Sequence, residues 1–218
     1  RAHLLDAAGD AAAGRLMLYD VLPATGDPLV LGIVAAAFLL GSIPFGVLLA
    51  RARGIDLKKV GSGNIGATNA ARALGKKAGL VVLLLDTWKA WLPTAAALWL
   101  RLGPEIAAAT GFAAFCGHIY SPWLKGRGGK GVACGLGAFL ALAPACAGIA
   151  AAACILVVVV TRLGSLGSLV GSASLIPSLW LLHEPRAYLV VGAVMFVLIL
   201  WRHRENIDRM LHRRENKL

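Results

Sequence analysis

Acidic residues are scarce in this sequence. Eleven Asp and Glu stand against 22 Lys and Arg in 218 residues, and charged residues of both signs make up only 15%. Hydrophobic residues make up 58%, with a mean hydropathy of +0.74. A single soluble core of this length would not bury so much apolar surface, which excludes an ordinary soluble enzyme and predicts a polytopic membrane protein. Cysteine is sparse as well. Cys116, Cys134, Cys146 and Cys154 lie in apolar stretches without C-x-x-C spacing, so they suggest neither a disulfide framework nor a zinc site. The chain also lacks an internal repeat of fixed period, a magnesium-type carboxylate cluster and a Ser–His–Asp set. Aromatics interleaved with a basic stripe are missing, and the net charge of +11 therefore does not imply nucleic acid.

Long apolar runs are what is present. About 20 apolar residues cross the hydrocarbon core, and Leu29–Ala50, Ala78–Leu100, Pro104–Trp123, Ser165–Leu182 and Pro185–Trp201 each fit that length. The run 131–160 is too long, because one helix of that length would extend about 45 Å. Pro144, in "ALAPACAG", predicts a split into two short crossings. With the split, 17 Lys and Arg fall on one side of the membrane, against Arg1, Arg15, Arg101 and Arg186 on the other. The positive-inside rule then gives an all-α protein of seven transmembrane helices, N-terminus outside and C-terminus cytoplasmic. Residues 29–218 read as one membrane domain. Residues 1–28 read as an extension ending in the turn-rich "PATGDP", either an interfacial helix or a loosely ordered segment. Asp6 and Asp10 interrupt any signal-peptide core.

Polar residues gather in two cytoplasmic loops. The first contains "GSGNIGATNAAR", where Gly61, Gly63 and Gly66 spell G-x-G-x-x-G and Asp86 follows at the distance of a ribose-binding acid. A dinucleotide site needs a preceding strand and a soluble βαβ unit, which the topology rules out. What remains is a glycine-rich backbone whose N–H groups can turn towards one anion. Ser62, Asn64, Thr68 and Asn69 stand beside it, and the Arg72 guanidinium suits bidentate phosphate contact. The second loop is "GHIYSPWLKGRGGKGVACG", in which Gly126, Gly128, Gly129 and Gly131 surround Arg127 and Lys130 before a helix begins at Val132. Free amides and the helix dipole there favour an anion. The Walker A pattern fails, because Gly131 stands where Ser or Thr would hold magnesium, so no nucleotide is implied. The plainer readings are a polar connector for the first loop and a basic stop-transfer segment for the second.

A few ionisable and hydroxyl residues complete the pattern. Asp86 and Lys89 are i and i+3 on one helical face and are expected to pair, with Lys89 also long enough to snorkel to the interface. His203 and Asn206, in "WRHRENIDRM", are likewise i and i+3 at the cytoplasmic end of the last helix, where an Asn beside a His suits a polyol hydroxyl. His118 lies just before the second loop. Ser165 and Ser168, in "TRLGSLGSL", are read as one helix cap and one anion donor.

Taken together, "GSGNIGATNAAR", "GHIYSPWLKGRGGKGVA", "TRLGSLGS" and "RHRENIDRML" resemble the bacterial acyl-phosphate:glycerol-3-phosphate acyltransferase family, in order from about Leu29 to the C-terminus. The resemblance implies a seven-helix enzyme of the bacterial inner membrane, with its active site facing the cytoplasm. It implies attack of the 1-hydroxyl of sn-glycerol 3-phosphate on acyl phosphate, giving lysophosphatidic acid and inorganic phosphate. It requires no cofactor, no metal and no obligate protein partner beyond the lipid bilayer. By motif it assigns Ser62, Arg72, Lys130, His203 and Asn206 to catalysis. Gly61, Gly63, Asn64, Thr68, Asn69, Gly128, Gly129, Gly131 and Ser168 fall to the substrate phosphates. Departures include Ser121 where the family has proline, Gly126 for an aromatic, Cys134 for a threonine, Ala90 for a glycine, and "RRE" for a terminal G-T-E. None removes an assigned residue.

The competing class is a carrier or flippase for a phosphorylated solute. Against it, no inverted halves with broken helices at matching positions are visible, and the candidate residues sit at one face rather than the midplane.

Overall fold

The computed structural model describes residues 27–217, and every regular element within them is helical. Most of the proposed N-terminal extension therefore lies outside the described residues. Asp27 opens the first helix, α1 (Pro28–Ser42), its carboxylate accepting from the Leu29 amide at 2.8 Å. With Pro28 at the first helical position, this is an N-terminus in which side chain and imide ring both suit the helix start.

The expected first span is broken. α1 stops at Ser42 and α2 (Phe45–Arg51) resumes after Ile43 and Pro44. Pro44 has no N–H to continue the ladder and pushes Ile43 into extended backbone (φ −62°, ψ 119°). The interruption leaves the Ile43 carbonyl without a helical partner, and Lys89 Nζ donates to it at 2.7 Å. Lys89 is fully buried, pairs with Asp86 at 2.7 Å and lies 5.6 Å from the Phe45 ring centroid. Pairing within the helix is thus as expected, whereas snorkelling is not: the ammonium is spent on a break in a neighbouring helix.

Next comes α3 (Ala67–Leu74), inside what reads from composition as a polar loop. α4 (Lys76–Trp99) and α5 (Pro104–Ile119) follow, the latter ending before the Trp123 expected for it. The long apolar run divides where Pro144 predicts, into α6 (Val132–Leu142) and α7 (Pro144–Thr161). α8 (Gly164–Leu181), α9 (Arg186–Arg202) and α10 (Arg204–Leu211) complete the chain, with α9 and α10 bent by 57° at His203.

Among the described residues, four helical stretches are long and apolar enough to cross a membrane: Pro28–Arg51, Lys76–Trp99, Pro144–Thr161 and Gly164–Leu181. The bent pair α9 and α10 makes a fifth if counted as one span. α6, with 11 residues, is only about 16 Å long and is largely enclosed by its neighbours.

Several helix pairs approach closely where a side chain is missing. A Cβ on Gly41 of α1 would lie 2.0 Å from the Ala114 carbonyl oxygen of α5, and one on Gly117 of α5 would lie 2.1 Å from that of Phe38. Gly137 of α6 meets the Thr87 carbonyl of α4 in the same way. Such close backbone contact is how helices gain dispersion energy where lipid removes the hydrophobic advantage of association. Some large apolar side chains face outward: Val159, Val160, Leu156 and Val197 are all more than half exposed, while Phe115, Phe139, Leu179 and Met195 fill the core.

Candidate active site

One cavity of about 390 Å³ gathers most of the expected residues. Ser62, Asn64, Thr68, Asn69, Arg72, Lys130, Gly131, Ser168, His203 and Asn206 all line it. Gly61, Gly63, Gly128 and Gly129 do not. The cavity is graded along its length. His203, just past the end of α9, and Ile199, Phe196, Met195 and Gly192 on it line one helical face for about 16 Å, from a polar end into an apolar slot. Phe139 of α6, Ala147 of α7 and Leu175 of α8 enclose that slot.

Three helix N-termini meet at the polar end. Gly66, Ala67 and Thr68 begin α3, Gly131, Val132 and Ala133 begin α6, and Gly164 and Ser165 begin α8, and all of them line the cavity. First-turn amides lack helical acceptors and carry the positive end of the helix dipole, so this convergence favours an anion. Arg72 and Lys130 add full charges to it.

The first loop is held from within. Asn69 is fully buried; its amide nitrogen donates to the carbonyls of Leu57 at 3.1 Å, Val60 at 2.9 Å and Asn64 at 2.9 Å. Its Oδ1 accepts the Ser62 amide at 3.0 Å. Gly61 has φ +59°, and a Cβ there would lie 2.3 Å from that same Oδ1. The expectation that Asn69 and the Ser62 amide face a phosphate therefore needs correction: each satisfies the other, and Asn69 folds the loop that presents the Ser62 hydroxyl. Arg72 donates to the carbonyls of Asn216 at 3.1 Å and Lys217 at 3.4 Å, which lays the C-terminal tail against the site.

The second loop is also anchored. The Gly128 amide donates to the Ile119 carbonyl and the Gly129 amide to that of His118, both at the open end of α5. The expectation that these two amides face an anion therefore needs correction: both are spent on α5, and the free ones belong to the first turn of α6. Both glycines are required for the approach, since a Cβ on Gly129 would lie 2.0 Å from the His118 ring and one on Gly128 would lie 1.9 Å from the His118 carbonyl. Arg202 holds the loop from the other side, donating to the Gly128 carbonyl at 2.5 Å and the Gly129 carbonyl at 3.1 Å. Ser121, standing for proline, donates to the Ser42 carbonyl at 2.7 Å, and Trp123 Nε1 reaches Ser42 Oγ at 2.8 Å. That departure from the family pattern ties the loop to the end of α1.

Lys130 donates to Asn206 Oδ1, and Asn206 Nδ2 donates to Glu215 Oε1 at 2.6 Å. Glu215 Oε2 accepts from Arg209 Nε at 2.7 Å. Burial, then Arg209, lower the Lys130 ammonium to about 8; Glu215 and Glu205 oppose that, and Arg202 adds to it. Burial raises the Glu215 carboxyl, but the hydrogen bonds from Arg209 and Asn206 outweigh it and hold the group below its ordinary value. His203, just past the end of α9, is lowered to about 4, first by burial and then by Lys130. Its Nδ1 lies 2.8 Å from the Ile199 carbonyl. A carbonyl only accepts, so Nδ1 carries the proton and Nε2 is left as an acceptor. Neither serine of α8 caps the helix. Its N-cap is Leu163; Ser168 donates back to the Gly164 carbonyl at 2.8 Å, and Ser165 reaches Met210 Sδ at 3.7 Å.

A family model described as "Glycerol-3-phosphate acyltransferase" matches residues 31–213. The chain belongs to the glycerol-3-phosphate acyltransferase family. A relative of that name from Myxococcus xanthus (strain DK1622) is 48% identical, the match covering 85% of this chain and 97% of the relative. One from Geobacter sulfurreducens is 43% identical, over 85% and 95%. Among solved structures, the acyltransferase is similar to PlsY (YgiH), an integral membrane glycerol 3-phosphate acyltransferase in its glycerol 3-phosphate form. The TM-score is 0.84 and the identity 39%, covering 87% of this chain and 95% of that one. The lysophosphatidic acid form of PlsY is similar as well, at TM-score 0.82.

At the polar end, Arg202, Arg209 and Glu215 support this acyltransferase's site without being among the residues expected from sequence. Arg202 lies in the tail motif, where its neighbours in sequence indicate only membrane topology and a positive field at His203. Glu215 stood in the "RRE" read merely as a departure.

Proposed function

We propose that this acyltransferase moves an acyl group from acyl phosphate to the 1-hydroxyl of sn-glycerol 3-phosphate, giving lysophosphatidic acid and inorganic phosphate. The observation that carries the reading is the graded cavity: an anion-favouring end of three helix N-termini, Arg72 and Lys130 opens directly into an apolar slot between α6, α7, α8 and α9. Such a cavity suits a substrate with a phosphate head and a hydrocarbon tail. The apolar helices place the enzyme in a membrane, which we take to be the bacterial inner membrane. In this reading the chain crosses seven times, with α5 and the short α6 as crossings and the site towards the cytoplasm.

Acyl phosphate is a mixed anhydride and already activated, so positioning and charge neutralisation account for most of the required acceleration. The hydroxyl oxygen forms a bond to the carbonyl carbon, the carbon–oxygen bond to phosphate breaks, and the electron pair leaves with the phosphate. Lys130, Arg72, the Ser62 hydroxyl and the first-turn amides of α3 and α6 stabilise that charge. Neutral His203 accepts a hydrogen bond from the attacking hydroxyl at Nε2, and Asn206 holds Lys130 beside it. The low proton affinity of His203 makes it a poor resting-state base. The hydroxyl proton therefore passes to a phosphate oxygen of the substrate.

Purified protein in detergent, given palmitoyl phosphate and labelled glycerol 3-phosphate, is expected to release lysophosphatidic acid and phosphate in equal amounts. Palmitoyl-CoA in place of palmitoyl phosphate is expected to give none. Labelled product with the thioester alone overturns the choice of donor.

A further inference from the structure

Outside the assigned residues, the polar end contains one acid whose contacts are all made to the catalytic set or its supports. Glu215 lies in the tail after α10, and its side chain is only 7% exposed. One carboxylate oxygen accepts from Asn206 Nδ2 at 2.6 Å and the other from Arg209 Nε at 2.7 Å. Arg72 grips the carbonyls of the next two residues, Asn216 and Lys217, so the tail is seated from both sides. A carboxylate at a phosphate site is unfavourable in isolation, since it repels the substrate. Its placement needs a function that outweighs that repulsion.

The amide of Asn206 supplies one. An Asn side chain presents an acceptor at one end and a donor at the other, and a half-turn exchanges them. Lys130 is a donor only, so it can meet Asn206 only through Oδ1. An ionised carboxylate is an acceptor only, so it can meet Asn206 only through Nδ2. Glu215 therefore fixes the amide in the one orientation that Lys130 can use. Arg209 fixes the carboxylate in turn.

We infer that Glu215 is a positioning residue for acyl transfer, orienting the Asn206 amide so that the Lys130 ammonium is held at the phosphate site. The inference rests on the proposed function above. Glu215 touches no substrate in this scheme and acts through Asn206.

A double-mutant cycle separates this from a general structural role. Rates with palmitoyl phosphate and glycerol 3-phosphate are measured for wild type, Glu215→Ala, Asn206→Ala and the double variant. Glu215→Ala alone is expected to lower kcat/KM by about 10- to 100-fold, the range for a lost hydrogen bond to a charged group. In the Asn206→Ala background the same change is expected to cost less than about twofold, because contacting residues in one network are not additive. Glu215→Gln has only one acceptor oxygen for two donors, so its NH2 must face either Asn206 Nδ2 or Arg209 Nε; it is expected to rescue poorly, whereas Glu215→Asp recovers part of the loss. Full additivity, a wild-type rate in Glu215→Ala, or full rescue by Gln overturns the inference. An inactive wild type is a different result, and overturns the function reading on which the inference rests.

Discussion

Arg202 donates both to Gly128 and to Gly129, at 2.5 and 3.1 Å, so the last residue of α9 carries the glycine loop that presents Lys130. The two carbonyls are met by a planar fork that a lysine does not reproduce. Arg202→Lys is therefore expected to lower kcat/KM by about 10-fold or more while leaving the net charge unchanged, and Arg202→Ala to do at least as much harm. Steady-state rates of the two variants check it. Equal rates for wild type and Arg202→Lys would show that the second contact is idle.

Asn69 satisfies three backbone carbonyls and one amide from a fully buried position. Asn69→Ala removes these bonds together, the Val60 carbonyl alone keeping a second partner in the Gly63 amide, at a cost of roughly 2–4 kcal/mol. Gly61→Ala meets both an unfavourable positive φ and the 2.3 Å approach to Asn69 Oδ1. Both variants are expected to unfold at lower temperature in detergent and to lose glycerol 3-phosphate affinity in calorimetry. A variant with normal affinity would mean that the first loop does not depend on Asn69 for its shape.

The charge of Lys130 gives the pH dependence. Burial, then Arg209, press it towards neutrality, Glu215 and Glu205 oppose them, Arg202 adds a little, and the ammonium rests at about 8. Only the protonated amine binds phosphate. The value of kcat/KM is therefore expected to hold below about 8 and to fall as pH rises through it. Lys130→Arg should move that limb far into the alkaline range, because a guanidinium stays charged. His203, lowered to about 4, is neutral throughout the neutral range, so no acidic limb near 6 is expected from it. A limb near 6 that disappears only in His203→Gln would restore His203 as the base.

Much of this molecule was readable from sequence where one residue type carries one physical consequence. Pro144 divides the long apolar run because an imide cannot continue a helix, and Asp86 pairs with Lys89 because helical spacing leaves them adjacent. The same rule at Pro44 went unused, since the run around it was of ordinary length. α3 was hidden by its glycine- and asparagine-rich setting, although "ATNAARAL" itself is alanine-rich and buries Asn69 and Ala70. Contacts between distant positions were not legible at all. Nothing local to Arg202 indicates Gly128, 74 positions away, and nothing in "RRE" indicates Asn206. The assumed free amides of Gly128 and Gly129 failed for the same reason: their acceptors lie at the end of another helix.

Glycine packing gives a stability prediction independent of the chemistry. Gly137→Ala places a methyl 2.0 Å from the Thr87 carbonyl oxygen and should destabilise by about 1–3 kcal/mol. Gly148→Ala in α7 has no neighbour within 4 Å and should be neutral or stabilising, by up to about 1 kcal/mol. Thermal unfolding of the two variants in the same detergent compares them. Equal destabilisation would argue that backbone contact between α4 and α6 is not what the small residues provide.

The central claim is that the polar end of the cavity, built from both glycine loops, is where phosphate charge is neutralised during acyl transfer. Its most direct test is the initial rate of Lys130→Ala with palmitoyl phosphate and glycerol 3-phosphate, with folding checked by thermal unfolding. The expected result is a rate at least about 100-fold below wild type in a protein that still unfolds cooperatively, the scale for removing one stabilising charge from a water-excluded site. A folded Lys130→Ala enzyme turning over at the wild-type rate would contradict the account.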